Sequence, residues 1–297
     1  PNDLEGTRRL MAARRHWLDL ERRLGAGCFR PVGVVSLRGR ADADAALQTA
    51  AVAGLPVRRL PARDLPALPP APGRVALLEV QAGVLLADAV LRAAAGWLAG
   101  HPAVTLRPGC PVRALDPDGP AVRLDGEVLA ADLVLVAAGV WTRDLLPPGA
   151  EPVLLHRQTM VYLRPPAQLR AWWHQAPAAG GLGADGRGWV VPPGDGTLLK
   201  VSSDAVRREV AAVGEPEPVD DETWSRRVLG LGLLEHPDRY TVARVRHCHY
   251  ATTASGAALL TRHGPALWSR AAGGGNGFAT APLIADRITR AALEEAA

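Results

Sequence analysis

The sequence predicts a mixed α/β (α+β mixed) protein of two interleaved lobes, one α/β and the other built on a mixed or antiparallel sheet. Two observations predict it. Pieces of βα type alternate with blocks of short strands. And the run from Leu133 to Gly139 is apolar throughout and ends in glycine, the pattern of a buried parallel strand with a ligand-facing end.

The elements follow in order. Residues 4–24 carry an apolar stripe at helical spacing among several arginines. Residues 30–38 (RPVGVVSLR) read as a β-branched strand and 41–53 as a small-residue helix. The proline-rich stretch 61–72 reads as an extended surface loop with one helical turn. A strand at 74–80 is followed by Gly83-Val84-Leu85-Leu86 and a helix over 87–98. Short strands are expected at 104–107, 112–115, 121–124 and 127–129, separated by the turn signals Asp116-Pro117-Asp118-Gly119 and Asp125-Gly126. A second strand-rich region holds 156–164, 188–191 and 198–202. A helix over 220–234 has Asp220 or Asp221 as its cap. Strands at 240–250 and 266–270 lead to a closing helix over 280–296.

Composition narrows the function. Lys+Arg 34 against Asp+Glu 30 leaves a net charge of only +4, and the arginines are interspersed with acids; no basic stripe suggests a nucleic-acid partner. No apolar run approaches the length of about 18 residues that a spanning helix needs. Three cysteines, Cys28, Cys110 and Cys248, without a CxxC pair fit neither a structural metal nor a disulfide framework, and an odd count suits a reducing, cytoplasmic setting. Pro1 is not an initiator methionine, so the chain is expected to begin inside a longer protein. Lys200 is the only lysine; either drift left it, or arginine does not serve at that position.

A dinucleotide-binding chain opens with a strand, GxGxxG and a helix, and none of that is present. The one glycine cluster, Gly273 to Gly277, follows a strand and precedes a helix. It reads either as a flexible turn or as a helix N-terminus that binds an anion or carbonyl. Upstream lies Val245-Arg246-His247-Cys248-His249-Tyr250 with Thr252-Thr253, a strand running into a turn. Read alone, Cys248 is either an inert buried thiol or a reactive one.

Together these segments resemble the C-terminal flavin site of the monomeric sarcosine oxidase group, within the D-amino-acid-oxidase-like (DAO) family of FAD enzymes. Gly6-Thr7-Arg8, Gly83-Val84-Leu85, Ala137-Ala138-Gly139-Val140-Trp141-Thr142, Arg157-Gln158 and Leu199-Lys200 match further landmarks in order, so the resemblance spans almost the whole chain. It implies a Rossmann-like FAD-binding lobe lacking its first βαβ unit (residues 1–27, 74–150 and 240–297) interleaved with a substrate lobe (28–73 and 151–239). It implies FAD held through a thioether to Cys248, with Gly275, Asn276, Gly277 and Phe278 at the pyrimidine edge. Gly139 and Trp141 stand where the chain passes the cofactor, and Val112 where its backbone meets the adenine side. Lys200 corresponds to the oxygen-activating cation and Arg8 to an arginine beside the ring; read alone, Arg8 is equally a solvated helix arginine.

Tyr250, Met11 and Ala279 correspond to substrate-side positions. Two of them depart from the pattern: the cations that grip a substrate carboxylate in sarcosine-type members are replaced by Met11 and Ala279. Asn276 and Leu4 stand where histidines are common, and Ser255-Gly256-Ala257 fills the place of an acidic residue. The implied reaction is oxidation of a secondary or tertiary amine, or of an N-alkyl amino acid-like substrate, with O2 as acceptor. Arg14 or Arg164 is an alternative source of positive charge. The contrasting expectation, from another class, is a flavin-free relative that keeps the fold as a binding or scaffold protein.

Overall fold

A computed structural model describes residues 3–69, 71–116, 119–147 and 149–295. Residues 117 and 118 of the expected turn, and the last residue of the expected closing helix, lie outside these.

The first helix, Leu4–Leu24, begins at Asp3, whose side chain accepts from Gly6 N, and stops at Gly25 in the left-handed conformation (φ 62°). Its buried face carries Thr7, Ala13 and Trp17. Trp17 ties it to the far end of the chain: the indole Nε1 donates to Ala279 O at 2.8 Å, and the ring stacks on Phe278 with centroids 5.2 Å apart.

A nine-stranded sheet dominates the molecule. Its centre is the eleven-residue strand Leu154–Arg164. On one side it pairs antiparallel with Thr241–Thr252 along its whole length. On the other it pairs with Leu199–Ser203 and, nearer its start, with Arg207–Glu209. From Leu199–Ser203 the sheet continues through Gly188–Val191, Ala178–Leu182, Val34–Gly39, Arg74–Glu79 and Val57–Leu60. One bulge interrupts the long pairing: Tyr162 opposes Arg244 while Leu163 opposes Val242, which leaves Ala243 unpaired. Behind this sheet lies the main core, where Val161, Leu163, Leu199 and Val201 meet the helix Asp221–Leu229 through Trp224 and Val228.

The apolar run before Gly139 forms Val134–Val136, parallel to Leu267–Ala271, which in turn pairs antiparallel with Leu259–Arg262. Val134 and Val136 are buried, while Leu135 between them is 40% exposed. A separate meander joins Ala114–Leu115, Ala121–Leu124 and Glu127–Ala130.

Several expected elements differ. No strand forms at 104–107; this stretch is flanked by Pro102, Pro108 and Pro111, and Leu106 stays exposed. The strand expected at 30–38 is broken: Phe29–Arg30 pairs with Val84–Leu85, the chain turns at Gly33 (φ 78°), and only Val34–Gly39 enters the large sheet. The helix after Asp220 ends at Leu229 because Gly230-Leu231-Gly232 follows, with Gly232 at φ 67°. The large sheet draws strands from both predicted lobes, since Arg74–Glu79 and Thr241–Thr252 are hydrogen-bonded into it.

Gly83 is held by close approach. A Cβ there would lie 2.0 Å from Arg30 O. Gly275, by contrast, has open space around its α-carbon. Gly83→Ala is expected to cost about 1–3 kcal/mol in a denaturant melt, with Gly275→Ala close to neutral in the same measurement.

Candidate functional site

The long central strand distributes side chains by alternation. Gln158, Met160 and Tyr162 point to one face together with their cross-strand partners Cys248, Arg246 and Arg244. Lys200, opposite Tyr162 from the other neighbour, shares that face. Cys248 and Lys200 therefore flank one strand on the same side, four positions apart along it. Cys248 is exposed and Lys200 half-buried. The protein wall around Cys248 raises its thiol pKa, opposed by the positive charges of Lys200 and Arg246. Burial lowers the Lys200 pKa, opposed by Cys248 and by Asp88. The Lys200 ammonium also lies over Trp189, 5.6 Å from the ring centroid.

The opposite face locks the Cys248 strand in place. Arg157, buried, donates from Nε to His249 Nε2 at 3.1 Å and from Nη1 to Glu217 at 3.1 Å. Glu217 also accepts from Arg208 at 2.7 Å and from the Trp224 indole at 2.9 Å. The Nδ1 of His247 lies 2.9 Å from Thr159 Oγ1 and 3.4 Å from Glu217. Both histidines beside Cys248 are thus held in a charged cluster behind the sheet. Burial lowers the His249 pKa, reinforced by Arg157, as fits a neutral ring accepting from a guanidinium.

The remaining expected residues gather in adjoining spaces. Gly139, Trp141, Tyr250, Gly277 and Phe278 line one cleft of about 580 Å³. Val112 and Trp141 line a second, of about 670 Å³, with Leu135. Met11, Asn276 and Ala279 line a third, of about 530 Å³, against the first helix. Lys200 lines a fourth, of about 370 Å³, with Asp88, Tyr162 and Arg244. Arg8 and Gly275 are exposed, and Arg8 has no hydrogen bond or ion pair among the described residues. The glycine loop winds as a 3-10 turn, Gly274–Asn276, before the helix Ala281–Glu295. Gly273 and Gly277 approach so closely that a Cβ on either meets the other's α-carbon at 3.2 Å.

Sequence reading did not single out Asp88, Trp189, Arg244 or Glu79. Asp88 had a signal, as an acid in the first turn of the helix Ala87–Ala99. The others carry none beyond their place in strands.

The features of this face suit a large polar ring with an apolar edge. Trp141, Val112, Leu135 and Phe278 are exposed hydrophobics along the clefts. Ala272, beside the glycine loop, holds a left-handed backbone (φ 50°) that non-glycine residues seldom adopt. On the Cys248 side of the sheet, His156 Nδ1 and Gln158 Oε1 are buried without a hydrogen-bond partner.

Comparison with known proteins gives the family. The profile of the DAO family of FAD-dependent oxidoreductases matches residues 3–291, and the chain belongs to that family. Among solved structures, it resembles the open form of a Tyr-to-Phe mutant of NikD, an amino acid oxidase of nikkomycin biosynthesis. The TM-score is 0.77 at 18% identity, over 99% of this chain and 81% of NikD. L-proline dehydrogenase from P. horikoshii gives 0.77 at 14% identity, over 98% and 80%. Glycine oxidase from Geobacillus kaustophilus gives 0.72 at 19%, over 98% and 78%. Curated protein sequences give no match. FAD is the cofactor that membership implies. Among the described residues no helix is long and apolar enough to cross a membrane, and no cluster of side chains suits a metal ion.

Because Lys200 is the only lysine, its side chain gives a single signal in a lysine-labelled NMR sample. It is expected to titrate below an ordinary lysine. Asp88→Asn removes a charge that favours the ammonium, so it moves the titration lower still; an unmoved midpoint contradicts the coupling.

Proposed function

We propose that this protein oxidises a secondary or tertiary amine, or an N-alkyl amino acid-like substrate, with FAD as cofactor and O2 as electron acceptor. The observation that carries this reading is the shared sheet face of Cys248 and Lys200. Held against this face, FAD would supply acceptance of a hydride equivalent from the carbon beside a neutral amine, with the electrons then going to O2 to give H2O2.

The residues divide the remaining work. Cys248 offers a sulfur for a covalent thioether, on a strand whose rear face is fixed by the Arg157–Glu217 cluster. Lys200 supplies a compact cation, half-buried so that its field is weakly screened, to stabilise negative charge developing on oxygen. Gly139, Trp141 and the Gly275–Phe278 segment, with Val112 further along, form the cofactor-facing walls. Arg8, exposed at the start of the first helix, is the second cation assigned to the ring. Tyr250, Met11 and Ala279 face the substrate. Substrate orientation and cofactor tuning suffice, so no separate general base is required of the chain. We place the activity in the cytoplasm, on the cysteine usage. Residues 1–27, 74–150 and 240–297 carry most of the cofactor contacts, and 28–73 with 151–239 the substrate side.

Two measurements test the assignment. Acid precipitation of the protein expressed with flavin is expected to leave a yellow pellet, colourless in Cys248→Ala; a colourless native pellet removes the covalent link. In rapid-mixing kinetics, Lys200→Met is expected to slow reoxidation by O2 on the order of 10²-fold while substrate reduction changes far less. Equal loss in both half-reactions contradicts the role of Lys200.

A further inference from the structure

The cavity against the first helix holds a single, half-buried carboxylate. Glu79 ends the strand Arg74–Glu79, and the register sets it between Val34 and Val57 on the neighbouring strands. Its side chain thus leaves an apolar row of the sheet and enters a space of about 530 Å³ walled by Leu10, Met11, Trp17, Phe29 and Leu55. Among the described residues it makes no side-chain hydrogen bond and no salt bridge. Burial raises its pKa, opposed by the positive charges of the terminal amine and of Arg14. Arg14 is itself engaged: Nε donates to Gln81 O at 2.7 Å and the guanidinium lies 5.5 Å from the Phe29 ring centroid. Arg15, the other cation on the lining, is exposed.

A half-buried carboxylate with no hydrogen bond or ion pair of its own among the described residues gains from a cationic partner brought into the same cavity. Met11 and Ala279 line the same cavity, and neither offers a charge to a substrate carboxylate. A volume of this size suits a small organic molecule.

We propose that this cavity receives the non-reacting end of the substrate, and that the substrate is an amine with an apolar body and a second, cationic nitrogen in place of a carboxylate. The second nitrogen pairs with Glu79 and the hydrocarbon lies against Met11, Trp17, Phe29 and Leu55. This rests on the amine-oxidising reading for which nitrogen reacts, but the recognition by Glu79 is measurable without turnover.

The test is calorimetric titration of the protein with three matched probes: N-methylbenzylamine, its para-aminomethyl derivative and its para-carboxylate derivative. The aminomethyl probe is expected to bind about tenfold more tightly than the parent, and the carboxylate probe more weakly than the parent. Glu79→Gln, nearly isosteric, removes the advantage of the aminomethyl probe and weakens the parent by less; Glu79→Asp retains part of the advantage. The advantage also fades as pH falls through the Glu79 pKa, because the protonated acid no longer pairs with a cation. A carboxylate probe that binds as well as the aminomethyl probe overturns the proposal, assigning the cavity to Arg14. Retention of the advantage in Glu79→Gln, or binding by none of the three probes, overturns it as well. Failure of the amine probes to reduce the flavin in anaerobic mixing, with the probe ranking intact, removes the amine-oxidation reading and leaves the cation site standing.

Discussion

The pairing of Leu154–Arg164 with Thr241–Thr252 is the constraint on which the rest of the molecule depends. It joins two segments far apart in sequence, and its two faces serve opposite purposes. On one, alternate residues support the core against Trp224 and Val228. On the other, Cys248 and, through the next strand, Lys200 stand on an open wall. A sheet whose side chains alternate brings a rigid foundation and a face bearing a thiol and an ammonium within one backbone thickness of each other.

The charged cluster behind Cys248 shows what this arrangement costs. Arg157 and Glu217 are largely removed from water, and such a pair stabilises little by itself once desolvation is counted. Its value is positional. Every member has several partners, so the strand cannot slide or twist without breaking charge-assisted bonds. At the other end of the site, Trp17 on Ala279 O gives similar support by tying the first helix to the segment after the glycine loop.

Much of this was legible in the residues. The helix Leu4–Leu24, the parallel strand Val134–Val136 and the strand containing Lys200 announce themselves through periodicity, apolar runs and β-branched residues. The ordered set of weak landmarks pointed to the family that the profile match then showed. Other features were illegible for physical reasons. Ala178–Leu182 reads Ala-Ala-Gly-Gly-Leu, which has little strand propensity of its own; its neighbours on both sides impose the conformation. Glu79 at a strand end looks like an ordinary solvated acid until the register sets it between two valines. Residues 104–107 were apolar enough to suggest a strand, but the flanking prolines decided otherwise.

Ala243, skipped by the ladder between Val242 and Arg244, has a reach beyond its size. Side-chain direction in a strand repeats every second residue, so one unpaired residue fixes the phase of all that follow. The bulge therefore determines, five residues ahead, that a cysteine and not a histidine meets the open wall. A ladder that kept Ala243 but paired it in regular register, without the bulge, would keep every chemical group and still exchange them: His247 and His249 would turn outward and the thiol would vanish into the charged layer behind. Register in this strand matters as much as the identity of its residues.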